Sequence, residues 1–217
     1  MHKSWMQAAI VAGALGTLGA VMANAQAGEV KSLSKTDISV GLYGAFSGTT
    51  STSGEQQSPA NSAGGIIEVR HIANPLVGFE GTYSFNHANQ TYSELFCPIA
   101  NDTTPGCNPA QTVKVNAHEL TADYVPSVKI GNLRPFGVLG LGLLLNEPAS
   151  GQSATTSSNK VVYVYGAGLD WGLLPHIGLR FQYRGNLYKA PDLSTIYGST
   201  GAFTHTAEPM VGIYLRL

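Results

Sequence analysis

The chain has 217 residues, 12 Lys and Arg against 13 Asp and Glu, and only 12% charged residues. A net charge of −1 without a basic run excludes nucleic acid as a partner, because phosphate binding needs a concentrated positive footprint. A hydrophobic fraction of 43% with mean hydropathy near zero is too polar for a bundle of membrane helices and too apolar for a disordered chain, which leaves an all-β domain in water or in a membrane.

Residues 1–27 read as a cleaved secretory signal: Lys3 near the start, an apolar run over 8–16, then Ala23-Asn24-Ala25-Gln26-Ala27 with small residues at alternating positions. Cleavage after Ala25 or after Ala27 fits equally well. A membrane anchor is the alternative, but glycines break the run and no stop-transfer charges follow it. The mature chain is therefore expected beyond the inner membrane.

After the signal, nothing reaches the roughly 18–20 apolar residues of a spanning helix, whereas runs of about ten alternating residues suit tilted membrane strands. The first run places Ile38, Val40, Leu42 and Phe46 against Ser39, Gly41, Tyr43 and Ala45; a Ser/Thr/Gly/Gln tract over 49–63 follows. Ile67 and Val69 then alternate with Glu68 and Arg70, ahead of a short break at Ala73-Asn74-Pro75. Val77, Phe79, Tyr83 and Phe85 alternate with Gly78, Glu80, Thr82 and Ser84. The polar connection 86–111 comes next and carries both cysteines, Cys97 and Cys107. Export implies an oxidising compartment, so these two are expected as an intra-loop disulfide worth about 2–3 kcal/mol of local order. No further His or Cys stands at metal-ligand spacing from them.

Leu120, Ala122 and Tyr124 alternate with Glu119, Thr121 and Asp123, and 126–132 is a short turn. The run 136–145 is ambiguous by period; we read Leu139, Leu141 and Leu143 as outward and Gly140 and Gly142 as inward. Beyond the long tract 145–159, Val161 to Trp171 alternates with Gly166, Gly168 and Asp170 on its other face. A short turn at 172–175 leads to Ile177, Leu179, Phe181 and Tyr183, alternating with Gly178, Arg180, Gln182 and Arg184. The long connection 188–202 then precedes Val211, Ile213, Leu215 and Leu217. Period two marks strands, because successive side chains leave opposite faces. Eight strands joined by long and short connections in strict turn predict an antiparallel up-and-down transmembrane β-barrel, with long extracellular loops and short periplasmic turns.

Which face meets which medium follows from volume. If the aromatic face filled the interior, six large side chains from the strands around 163–183 would crowd a space that holds little more than one packed column. With that face toward lipid, Glu68, Arg70, Glu80, Glu119, Asp123, Asp170, Arg180, Arg184, Glu208 and Arg216 point inward. The inward glycines at 140, 142, 166 and 168 are then expected to leave room for the arginines. Trp171 and Tyr124 fall beside short turns, where an aromatic girdle would sit.

In its stretches His118 to Tyr124, Arg134 to Gly142, Gly166 to Trp171, Gly178 to Arg184 and the terminal strand, the sequence resembles the small OmpA-like eight-stranded outer-membrane barrels of diderm bacteria. The resemblance covers essentially the mature chain and implies residence in the cell outer membrane. It divides the chain into the signal 1–27, a periplasmic segment 28–35 and a barrel domain 36–217, with no peptidoglycan-binding domain after it. The implied partners are outer-membrane lipids, the barrel-assembly machinery during biogenesis and a ligand at the loops; no cofactor is implied. Gly212, Leu215 and Leu217 resemble the C-terminal assembly signal of such barrels, although Met210 replaces a usual polar residue and the chain ends in Leu rather than Phe.

The inward charges read first as a structural plug of acids and arginines neutralising one another, and second as a proton or ion path. Counting from the turns, Arg184 is expected opposite Glu208 and Arg70 opposite Glu80. An enzymatic alternative, a lipid A acyltransferase or deacylase, would need His, Ser and an acid held together; His87, Ser93 and Glu94 are expected in the second long loop and His205 near the fourth. Eight strands exclude a wide diffusion channel, since side chains fill so narrow a barrel. A structural or surface-interaction role without catalysis is the reading we carry forward.

Overall fold

A computed structural model describes residues 36–52, 54–95 and 108–217. It holds ten strands: β1 (Thr36–Ser47), β2 (Thr50–Thr52), β3 (Glu55–Pro59), β4 (Ser62–Asn74), β5 (Val77–Glu94), β6 (Gln111–Tyr124), β7 (Leu133–Pro148), β8 (Ser158–Gly172), β9 (Ile177–Lys189) and β10 (Phe203–Arg216). Eight of them, in the order β1-β4-β5-β6-β7-β8-β9-β10, form one antiparallel sheet that closes where β10 pairs with β1. Closure gives both sides of every barrel strand a partner, which is the condition for a sheet to stand in lipid.

All eight predicted strands are present, but several run further than their apolar alternation. β5 continues to Glu94, β6 begins at Gln111 rather than near Glu119, and β10 begins at Phe203 rather than near Val211. In these extensions both faces carry polar residues, such as His87, Asn89 and Thr91 on β5. The pleat persists there while the hydrophobic contrast that reveals it is gone. The tract 49–63 likewise contains a hairpin of β2 and β3, and β3 pairs with the upper part of β5. The barrel wall thus extends past the apolar band at the end bearing the long loops. Cys97, Cys107 and the signal region lie outside the described residues.

The outward face is apolar. Leu42 is 70% exposed, Leu139 65%, Leu141 61% and Ile213 59%. An unbroken band of such side chains far exceeds the few hundred Å² of apolar patch that a water-soluble monomer presents. The interior holds the charged set together with two apolar clusters. One joins Ile72, Phe136, Val138, Leu144, Val162 and Val164 along the β7–β8 wall; the other joins Tyr43, Ala45, Ile66 and Met210 across β1, β4 and β10. The inward face is therefore divided, with a polar column wedged between apolar walls.

Candidate functional site

The lumen near the short turns is filled by two arginines and the acids around them. The Arg180 Nε donates to Asp170 Oδ1 at 2.7 Å, its Nη2 to Asp37 Oδ1 at 2.7 Å, and its Nη1 to Glu68 Oε2 at 2.9 Å. The Arg70 Nε donates to Glu80 Oε2 at 2.6 Å, and its Nη1 to Asp170 Oδ2 at 3.3 Å. The Phe136 ring lies beneath Arg70, 3.9 Å from the guanidinium carbon to the ring centroid, so one charge is held between carboxylates and a π face. Nearer the middle, Arg184 reaches Asp123 at 3.2 Å, Glu119 at 3.5 Å and Glu80 at 3.9 Å, and takes in the hydroxyls of Thr82 and Thr121. All of these side chains are essentially inaccessible to solvent. Charges so placed are tolerable only when multiply hydrogen-bonded, because desolvation costs several kcal/mol per ion.

Arg70 and Glu80 face each other in register and pair, as their spacing predicts. Glu208 and Arg184 also stand in register, yet no ion pair joins them among the described residues. The Arg184 guanidinium crosses the lumen to β5 and β6 instead, where three carboxylates and two hydroxyls offer more acceptors than one neighbour could. Arg216 departs from its expected place as well: it is half-buried at the short-turn end, 5.8 Å from the Tyr214 ring, and forms no ion pair with the acids among the described residues. Asp37, by contrast, is a full member that sequence reading missed. It sits one position before the first apolar residue used to recognise β1, where alternation had not yet begun to show.

The inward glycines serve close approach by neighbours other than the arginines. A Cβ at Gly140 would collide with the Asp123 carboxylate, and one at Gly168 with the Phe136 ring. These two positions make room for an acid and for the aromatic platform on which Arg70 rests.

Above Arg184 the lumen opens into a small chamber lined among others by Tyr43, Asn86, Glu119, Asn146, Tyr188 and Glu208. Asn186 Nδ2 donates to Glu119 Oε2 at 2.8 Å. Over this end lies the connection 190–202, which leaves β9 and crosses to β5 and β6 on the opposite wall. The Tyr92 hydroxyl donates to the Pro191 carbonyl at 2.7 Å, and Leu193 is fully buried with Tyr92, Val113, Val115 and Tyr197. Further ties run from Gly198 N to Glu55 Oε1 at 2.9 Å, from the Tyr197 hydroxyl to the Pro109 carbonyl at 2.7 Å, and through the bridge between Thr155 and Ser194. This connection touches the chain of all three other long connections. Burial, and then the charges of Glu94 and Glu55, hold the Tyr197 phenol above its ordinary pKa.

The residues considered for catalysis do not converge. His87 and Glu94 lie on β5, and His205 on β10, rather than in loops, because those strands outlast the apolar band. His87 and Ser93 are six residues apart on one strand, a separation of roughly 20 Å. His87 meets the edge of Phe85, with ring centroids 4.8 Å apart, and His205 Nε2 shares a hydrogen bond of 2.9 Å with the Tyr165 hydroxyl. These are outward aromatic contacts.

A closed eight-stranded barrel with an apolar exterior has clear counterparts. The family profile described as the outer membrane protein beta-barrel domain matches residues 13–206. The chain belongs to this family. Among solved structures, the outer-membrane barrel is similar to OprG from Pseudomonas aeruginosa, at 11% identity over 87% of this chain and 99% of that one, with a TM-score of 0.53. It is also similar to Neisserial surface protein A, at 12% identity over 86% and 100% of the two chains, with a TM-score of 0.51. A third likeness is to Ail, the attachment invasion locus protein of Yersinia pestis, solved with the heparin analogue sucrose octasulfate: 18% identity, 84% and 97% coverage, TM-score 0.50. At such identities the likeness is one of fold. A search of curated proteins found no match.

Proposed function

We propose that this outer-membrane barrel is a structural and surface-interaction protein that presents its four long connections outside the cell and catalyses no reaction. The observation that carries the reading is the segregation of the connections. Those of 48–61, 95–110, 149–157 and 190–202 share one end, and the brief turns share the other. In family barrels the long connections face outward from the cell. Export through a cleaved signal over 1–27, a periplasmic segment over 28–35 and a disulfide between Cys97 and Cys107 belong to the same proposal. So do engagement of the assembly machinery through Gly212, Leu215 and Leu217, and contact with outer-membrane lipids. Two barrels of this fold carry names that speak of the surface and of attachment, which supports the loops as the interacting part. The charged lumen acts as a plug, with guanidiniums and carboxylates holding opposite walls together.

The test is topological. A short epitope inserted after Gly151, at an exposed turn in the third long connection, is expected to be labelled by antibody on intact cells. Labelling that requires permeabilised cells would overturn the orientation and the surface role with it.

A further inference from the structure

The two halves of the lumen are balanced differently. Among the described residues, seven buried carboxylates face three buried guanidiniums. The acids of the short-turn half are gathered around Arg70 and Arg180, but at the chamber Arg184 alone stands near Glu119 and Glu208, and it leans away toward Asp123. Glu208 is only 5% exposed, it lines the chamber, and its Oε2 has no hydrogen-bond partner in the protein. Asn86, 8% exposed and on the facing wall, donates through Nδ2 to the Ser62 hydroxyl at 3.0 Å. Asn86 also lines the chamber, and its amide oxygen has no hydrogen-bond partner in the protein. Two acceptor oxygens, one on β10 and one on β5, therefore have no hydrogen-bond partner, and Glu119 adds negative charge to the same chamber.

From this arrangement we infer that the chamber is a binding site for a small hard cation, taken by Glu208 Oε2 and the Asn86 amide oxygen in the field of Glu119. Oxygen-only donors suit sodium, potassium or calcium rather than a soft transition metal. A bound cation supplies the charge that Arg184 withholds from Glu208, and a buried carboxylate without such a counter-charge is strongly disfavoured. The exposed Ala60 at the chamber rim marks a path from solvent.

The purified, folded full chain in zwitterionic detergent provides the test. Its unfolding temperature is measured in sodium, potassium or calcium chloride against N-methylglucamine chloride, at equal ionic strength and pH. At least one inorganic cation is expected to raise the midpoint by several degrees over the bulky organic one. Glu208→Gln should abolish that increment, Asn86→Ala should weaken it, and Glu147→Gln, outside the chamber, should leave it intact. Asn86→Ala keeps the charge and carries the same test if Glu208→Gln fails to fold. Equal midpoints in all salts would overturn the site. So would full cation dependence in both chamber variants, or a midpoint that responds to pH alone, which would assign a proton to Glu208.

Discussion

Arg180 is the residue on which the interior depends most. Its guanidinium faces Asp37, Glu68 and Asp170 within 3.0 Å, so removing it leaves three buried acids without their main donor. Arg180→Met is expected to lower stability by about 3–5 kcal/mol, read as a urea midpoint of the refolded barrel in lipid vesicles. Arg216→Met, at a half-buried position without such pairs, should change it by less than about 1 kcal/mol. The two residues look equivalent in sequence, each a charge alternating with apolar neighbours, and only the depth of each in the lumen separates them. The same limit applies to Arg184 and Glu208. Register places them opposite, as hairpin counting predicts, but a long side chain chooses among every acceptor within reach. The combined variant carrying Arg184→Glu and Glu208→Arg is therefore expected not to recover the stability lost by either change alone; full recovery in the same urea series would show that the pair interacts directly.

At the scale of elements, the connection 190–202 behaves as a roof rather than a solvated link. Leu193 at its centre is buried completely between β5 and β6. Leu193→Ala is expected to destabilise this packing by about 2–5 kcal/mol, and to make 190–202 the first site nicked by protease while the barrel band stays resistant. Equal protease resistance in both proteins would remove the roof from the account. Little of this was readable from sequence, where 188–202 is simply polar and interrupted. Its apolar anchors, Leu193 and Tyr197, gain meaning only when Tyr92 and Val113, far earlier in the chain, are brought beneath them. The strands themselves were legible wherever lipid on one side and charge on the other impose contrast. They became illegible where β5, β6 and β10 rise beyond the band and that contrast ends.

For the whole molecule, low charge and near-zero hydropathy are the average of two opposed surfaces, an exterior made for lipid and an interior made of ions. That duality makes a sharp demand on substitutions. Leu141→Arg, on the outward face of β7, is expected to cost about 2–4 kcal/mol if it stands near the bilayer midplane, whereas a soluble barrel would accept it readily; refolding yield into vesicles measures the difference. The closed sheet could be read from the chain because no backbone group goes unpaired in lipid, the segregated faces because lipid and lumen demand opposite side chains, and the long–short order because an up-and-down barrel puts its long connections at one end. The central claim is tested most directly by the migration of the outer-membrane fraction in detergent gels with and without boiling. The account predicts that the protein is found in that fraction and runs at a different apparent size unheated than heated, as a barrel that detergent alone does not unfold. A protein recovered in the soluble periplasmic fraction, with one mobility under both conditions, would contradict it.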